Sequence, residues 1–265
     1  MSTFLNDIIP TTSIPAAIDA ARSIVIVKDF KIGGSAISSW LSENRSALWL
    51  DYEEGSEALP GVKINVIAKA KALGMDRIAF LTKLWAELAE DFQSGKPRFQ
   101  YLVHDKVNQL EDWAEVQATA YYKQTIPGKN FKGKSVLELP EGGGYLYLRQ
   151  KFMDLWNAAS VAAPRSIWWC SQKLKYIGDG SNKFEVKDMD LMGKCRSIVA
   201  GNCDAPAVMY REEDGSNWIS FFTSDRRAFC GCRVPRLEGQ RFKISWKDAD
   251  GKLVVDWNQI YPDGK

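Results

Sequence analysis

The sequence predicts an α/β fold in which helices flank a twisted, mostly parallel β-sheet. The first observation is an apolar, β-branched strand at Ser23–Val27, followed by a glycine-bearing loop and a helix at Ser35–Asn44. The second is the strand Ala47–Asp51, which completes a strand-helix-strand unit within about 30 residues. The third is the strand Phe99–Asp105, which also ends in an acid. The length of 265 residues suits one large domain, or one domain with a small appendage.

The other elements follow from apolar periodicity and from the breaks between segments. Further helices are predicted at Val62–Leu73, Ile78–Phe92, Val107–Tyr122 and Tyr145–Ala159. Further strands are predicted at Arg165–Cys170, Arg196–Ala200, Ala207–Arg211 and Trp218–Thr223, with a polar loop or hairpin at Ser171–Val186. Residues 240–258 carry two apolar stretches around an Asp-Gly turn, which predicts a C-terminal β-hairpin. We therefore divide the chain into an N-terminal arm (1–22), a core (23–237) and the hairpin (238–265).

Composition narrows the class of protein and its compartment. The net charge of +2 provides no overall field for nucleic acid or an anionic membrane, so any basic site must be local. No apolar run reaches the roughly 18 residues of a membrane helix, and the N-terminus lacks the pattern of a signal peptide. The five cysteines are unevenly spaced, as is typical of reduced thiols in a cytoplasm. The sequence thus predicts a cytoplasmic protein without membrane contact.

The loop after the first strand has the frame of a phosphate-binding P-loop, G-x-x-x-x-G-K-[ST], but lacks its usual charge. Gly33 and Ser35 stand where the second glycine and the hydroxyl belong, whereas Lys28 replaces the first glycine and Gly34 replaces the lysine. Because that lysine neutralises phosphate charge in the transition state, its loss predicts slow or absent ATP hydrolysis. The alternative is that Lys28 or Lys31 bends back over the phosphates and takes its place.

Acidic residues follow two of the predicted strands. In P-loop ATPases an apolar strand ends in an aspartate that organises Mg²⁺, and Asp105 has that position here, which makes Ser35 and Asp105 the predicted magnesium residues. Asp51 at the end of the second strand, and Glu53 and Glu54 after it, are candidates to hold or activate a water. The alternative is an ordinary solvated loop at the end of a strand.

Residues 123–135 form a basic loop punctuated by glycines. One aromatic residue, Phe131, lies among its lysines Lys123, Lys129, Lys132 and Lys134. Lysines interleaved with an aromatic ring suit single-stranded nucleic acid, because the cations pair with phosphates and the ring stacks on a base. A flexible, solvated loop is the alternative.

Several blocks spread over about residues 20–237 share the pattern of one known family. The blocks are Lys31–Ser35, Leu50–Gly55, His104–Glu111, Pro127–Pro140, Gly142–Tyr145, Asp190–Ser197, Ser220–Asp225 and Cys230–Arg233. Together they resemble the phage-encoded RecA-like ATP-binding proteins, P-loop ATPases associated with phage recombination and single-strand annealing. The middle and C-terminal blocks are the more specific ones.

The resemblance implies a RecA-like core and assigns roles by position. Gly33 and Ser35 would contact the phosphates, and Asp105 would be the acid linked to Mg²⁺. Glu53 or Glu54 would lie near the attacking water. Lys173 would lie near the sensor position after the fourth strand. This chain departs from the family at Lys28, at Gly34, and at Lys106, where a small hydroxyl residue is usual.

Three hypotheses about function follow. The leading one is an accessory protein of phage DNA replication or recombination, in the cytoplasm of the infected bacterium, which binds single-stranded DNA or assembles with itself or a phage partner. In this hypothesis ATP and Mg²⁺ bind weakly or not at all. The second is an active ATPase that uses Lys28 or Lys31. The third is a structural or interaction protein without enzymatic activity on a RecA-like scaffold.

Overall fold

A large β-sheet organises the chain in a computed structural model that describes residues 21–177, 183–222 and 230–262. Its strands are β1 Ser23–Lys28, β2 Ala47–Asp51, β3 Lys63–Asn65, β4 Tyr101–Asp105, β5 Arg165–Ile177, β6 Phe184–Met189, β7 Ala205–Arg211, β8 Asn217–Ser220, β9 Arg241–Lys247 and β10 Leu253–Val255. The helices are α1 Gly34–Asn44, α2 Val66–Ala72, α3 Arg77–Gln93, α4 Val107–Gln124, α5 Gly144–Ser160 and α6 Cys195–Asn202. The predicted N-terminal arm lies outside the described residues up to position 20.

The central strands are parallel, and their carboxyl ends meet at one edge of the sheet. Neighbouring strands follow the order β3, β2, β4, β5, β1, β7, β8, β9, β10. Pairing is parallel from β3 to β7 and antiparallel from β7 to β10, while β6 pairs antiparallel with β5. The prediction of a mixed α/β fold with a mostly parallel central sheet is therefore confirmed.

Both faces of the sheet are covered, which explains the continuous apolar character of its strands. In β1, Val25 and Val27 face the core beneath helices α2 to α6. Ile24 and Ile26 point to the opposite face, beneath α1 and the C-terminal segment. Packing on both faces therefore buries β1 from Ile24 to Val27, up to its last, partly exposed residue Lys28.

The structure corrects two predicted segments and decides between two alternatives for a third. The strand predicted at Arg196–Ala200 is wrong, because these residues lie in α6, where Cys195 and Val199 share one buried face four residues apart. The helix predicted from Val62 begins only at Val66, since Lys63–Asn65 forms β3 and the Asn65 side chain caps α2. Of the two alternatives at Ser171–Val186, the hairpin is correct, and it is formed by β5 and β6.

The predicted C-terminal hairpin forms, and it continues the main sheet. Strands β9 and β10 pair antiparallel, and β9 also pairs with β8. The chain then returns to the core, where Trp257 and Tyr261 are fully buried. The Tyr261 hydroxyl donates a 2.9 Å hydrogen bond to the carbonyl of Ala21, just before β1. The C-terminal segment thus closes the face of the sheet that also carries α1.

We predict that Trp257→Ala lowers the free energy of unfolding by about 3–5 kcal/mol, because it leaves a large cavity in a packed core. Urea denaturation followed by circular dichroism measures this loss. The matched control is Trp246→Ala, since that side chain is only half-buried and its removal leaves no closed cavity. Equal losses for the two variants would contradict the packing of the C-terminal segment on the core.

Candidate functional site

The site lies where β1, β2 and β4 end. These strands finish at Lys28, Asp51 and Asp105, and residues 29–33 lead from β1 directly into α1. Asp51 and Asp105 are partners in the parallel ladder between β2 and β4. The predicted order of strand, loop and helix over Ser23–Ile37 is the one the structure has.

The loop enters α1 through a left-handed glycine and leaves the first turn uncapped. Gly33 has φ 101° and ψ 11°, a conformation that favours glycine. The first helical hydrogen bond runs from the Ile37 amide to the Gly33 carbonyl at 3.1 Å. No side chain caps the helix, and its first turn contains no acidic residue. The start of α1 therefore offers amide N–H groups and a positive dipole end, which is a favourable place for an anion.

Ser35 and Asp105 are brought together although 70 residues separate them. The Ser35 hydroxyl donates a 3.1 Å hydrogen bond to Oδ2 of Asp105. Asp105 is buried, and burial is the largest cause that raises the pKa of its carboxyl group. The charge of Lys28 and the hydrogen bond from Ser35 act in the opposite direction and lower that pKa. A hydroxyl, a carboxylate and an ammonium thus share one small space at the start of α1.

Lys28 occupies the space beside Gly34. A Cβ atom at Gly34 would lie 2.8 Å from Cδ of Lys28 and 3.2 Å from its Nζ, with Cε nearer still. The Lys28 ammonium lies 5.9 Å from the ring centroid of Trp169 on the neighbouring strand β5. The lysine that replaces the first glycine of the P-loop therefore reaches the position where the usual lysine side chain would begin.

Asp51, the last residue of β2, and Glu53, just after it, interact with neighbouring groups. Asp51 is buried and accepts 2.9 Å hydrogen bonds from the amides of Glu53 and Ser56. Glu53 forms a 3.0 Å ion pair with Lys106, whose ammonium also lies 5.3 Å from the Phe30 ring. Lys106 is thus the partner of a residue that the sequence resemblance predicts to lie near the attacking water.

Three predicted residues lie at the surface or make their contacts elsewhere. Lys31 and Glu54 are exposed and both have left-handed backbone conformations, with φ 58° and 60°. Lys173 donates to the Leu191 carbonyl at 2.8 Å and lies 3.6 Å from the Asp190 carboxylate. Within the described ranges its polar contacts do not include Ser35 or Asp105, so the structure does not bring Lys173 into their group.

The basic loop lies at the other end of α4 from Asp105. Helix α4 has 18 residues, or about 27 Å at 1.5 Å per residue. Lys129, Lys132 and Lys134 are exposed. Phe131 is half-buried, packs edge-on against Tyr122 at 5.3 Å, and lies 5.9 Å from the Lys123 ammonium. The structure therefore places the basic loop and the Ser35–Asp105 pair at separate ends of one helix.

Two buried ionisable residues, His104 and Glu111, were not among the predicted site residues. His104 stacks on Trp168 at 3.6 Å and forms a 2.7 Å hydrogen bond with the Tyr52 hydroxyl, and burial lowers its pKa to about 3. Glu111 accepts a 2.8 Å hydrogen bond from the Met192 amide, and burial raises its pKa to about 7. The sequence does carry a signal for Glu111, because it lies four residues after Val107 and therefore on the buried face of α4.

Comparisons with known proteins give little support to any family. No protein-family model and no curated protein matches the chain. The chain is similar to a solved structure described as a prototypical ATPase from the type III secretion system of pathogenic bacteria, with 13% identity and a TM-score of 0.39. The match covers 72% of this chain and 52% of the ATPase, so the chain spans about half of that protein's length. A TM-score of 0.39 is too low to establish a shared fold.

Two further findings concern membranes and metals. Within residues 21–177, 183–222 and 230–262, no helix combines the length and apolar character needed to span a membrane. The same residues contain no group of three or more His, Cys, Asp or Glu side chains arranged to hold a metal ion.

We predict that Glu111→Gln stabilises the protein increasingly as pH rises from about 4.5 to about 7. In this window folded Glu111 keeps a proton that the unfolded chain releases, so its contribution to stability falls by about 1.4 kcal/mol per pH unit. Glutamine removes that loss and keeps an oxygen for the Met192 amide. Urea denaturation of both proteins at pH 5, 6 and 7 gives the difference directly.

The opposite pH dependence expected from His104 is present in both proteins and cancels in the difference. The control is Glu87→Gln on α3, because that side chain is exposed. A difference for Glu111→Gln that stays constant with pH would show that its carboxyl group is not protonated in the fold.

Proposed function

We propose that this protein binds a nucleoside triphosphate with Mg²⁺ at the start of α1, on a RecA-like scaffold. The observation that carries the proposal is the hydrogen bond from Ser35 to Asp105 at the carboxyl edge of a parallel sheet. In P-loop proteins a hydroxyl at the start of the helix and an acid at the end of a strand hold Mg²⁺ together. An uncapped helix start beside them supports the phosphate half of the proposal.

The residues present fit such a ligand. Mg²⁺ keeps several waters and typically takes only one or two protein carboxylates together with phosphate oxygens, so Ser35 and Asp105 are a sufficient protein contribution. When bound, the ion would neutralise part of the phosphate charge. Lys28 supplies one positive charge in the same space, and the amides of the first turn of α1 supply hydrogen-bond donors.

We propose binding with slow turnover rather than efficient hydrolysis. Glu53, a candidate to activate water, instead forms a 3.0 Å ion pair with Lys106. Glu54 is exposed on a left-handed turn. Neither arrangement is that of a general base held close to a reacting water.

The sequence resemblance supports a more specific role. We propose an accessory protein of phage DNA replication or recombination that works in the cytoplasm of the infected bacterium. It would bind single-stranded DNA through Lys129, Lys132 and Lys134, with Lys123 and Phe131 at the base of the same loop. A homo-oligomer or a phage partner protein would complete the assembly, as head-to-tail contacts are common among RecA-like domains.

We predict saturable binding of ATP that requires Mg²⁺, measured by isothermal titration calorimetry. Ser35→Ala should weaken it roughly tenfold or more, because a hydrogen-bonding group next to a charged ligand is lost. Ser94→Ala removes an exposed hydroxyl at the end of α3 and should leave binding unchanged. Absence of Mg²⁺-dependent binding by the unmodified protein at millimolar ATP would refute the proposal.

We predict that the triple variant Lys129→Ala, Lys132→Ala and Lys134→Ala binds a labelled single-stranded oligonucleotide more weakly. The slope of log affinity against log salt should flatten by about 2, since roughly 0.7 counterions are released for each phosphate contact on a single strand. A matched control changes three exposed lysines on α2 and α3, Lys69, Lys71 and Lys83. Equal losses in both triple variants would argue against a DNA site in the loop.

If the unmodified protein binds neither nucleotide nor DNA, the hypothesis of a structural or interaction protein is the one that remains. Both measurements use the full chain, so the two proposals can fail independently of each other.

A further inference from the structure

We infer that the P-loop lysine has been relocated rather than lost: Lys28 is the phosphate-binding lysine, and Gly34 is a glycine because the Lys28 side chain needs its space. The inference deepens the proposed nucleotide site and rests on it. The two departures from the P-loop pattern at Lys28 and Gly34 are then a single change, in which a lysine and a glycine have exchanged places.

The conformation of Gly34 does not explain why a glycine is there. The backbone of Gly33 is left-handed, but Gly34 is not among the residues with positive φ. Glycine within a helix is less favourable than alanine, so its presence in the first turn of α1 calls for another cause. The structure offers a steric cause, because the three heavy atoms nearest to a Cβ at this position all belong to Lys28.

The direction of Lys28 follows from its place in the sheet. It is the last residue of β1, and its two neighbours in the ladder are Ser171 of β5 and Met209 of β7. The central strand therefore fixes where the side chain leaves the backbone. From there the side chain runs beside Gly34, and its ammonium lies within the field of Asp105.

The N–H donors of the Lys28 ammonium have no hydrogen-bond acceptor within the described residues. Among the residues that the structure describes, it makes no hydrogen bond, and its contacts are the Trp169 ring at 5.9 Å and the charge interaction with Asp105. An ammonium group has three N–H donors, which phosphate oxygens on the start of α1 would satisfy. Lys31, the other candidate, is exposed, and within the described part of the chain it is not among the residues that act on Ser35 or Asp105.

If Lys28 binds the phosphates, Gly34→Ala should weaken binding without disturbing the fold. The atoms that a new methyl group would meet are the far end of a flexible side chain, so the variant should fold normally. The methyl group should nevertheless displace Lys28 from the site. A methyl group alone would thus mimic the loss of a charge.

The test compares the affinity for ATP with Mg²⁺ across a set of variants whose folding is checked by circular dichroism. Lys28→Ala and Gly34→Ala should each weaken binding at least about tenfold, as expected when one charge-assisted contact is lost. The double variant Lys28→Gly with Gly34→Lys restores the usual P-loop order and should return to within about threefold of the unmodified protein. Gly201→Ala is the control for glycine, because α6 leaves open space there, and Lys83→Ala is the control for lysine.

The outcomes separate this inference from the proposed function. If the unmodified protein binds ATP and Lys28→Ala binds it equally well, the relocation is refuted while the nucleotide site stands. A loss confined to Lys31→Ala, or a double variant as weak as Lys28→Ala, would refute it as well. If the unmodified protein does not bind ATP at all, the proposed function itself has failed.

Discussion

One small volume between the end of β1 and the start of α1 governs the site. The Lys28 side chain fills it, and any side chain at Gly34 would compete for it. The same ammonium lies close enough to Asp105 to lower the pKa that burial raises. Because Ser35 is bonded to that carboxylate, the hydroxyl, the acid and the lysine are positioned together. A change in any one of them alters the charge balance of the others.

The parallel strands β1, β2 and β4 end at the same edge of the sheet, which brings Lys28 and Asp105 to this volume. The residues that precede these strand ends are buried. Behind the site, His104, Trp168 and Trp156 form a stacked row, with centroid distances of 3.6 and 4.4 Å. This packing holds the strands that carry Asp105 and the neighbour of Lys28 in fixed register. Helix α4 leaves the same edge and ends at the basic loop, about 27 Å away. The proposed nucleotide site and the proposed DNA site would therefore be linked through one continuous helix rather than through direct contact.

The sequence predicted the backbone of the site better than its side-chain contacts. Ser35 and Asp105 could be expected to meet, because a P-loop frame and an acid at a parallel strand end define one edge of the sheet. The path of Lys28 beside Gly34 and the pairing of Glu53 with Lys106 depend on rotamers, which no linear pattern encodes. The sequence predicts a strand at Arg196–Ala200, whereas packing of one face of the segment, through Cys195 and Val199, makes it helical.

The central claim is that the positive charge that neutralises the phosphates comes from Lys28 at the end of β1, rather than from a lysine at the start of α1. A crystal structure of the protein with Mg²⁺ and a non-hydrolysable ATP analogue tests it most directly. The account predicts the phosphates at the start of α1, with a phosphate oxygen about 3 Å from Nζ of Lys28. Phosphates bound at the start of α1 with the Lys28 ammonium still against Trp169, or an analogue bound elsewhere on the protein, would contradict it.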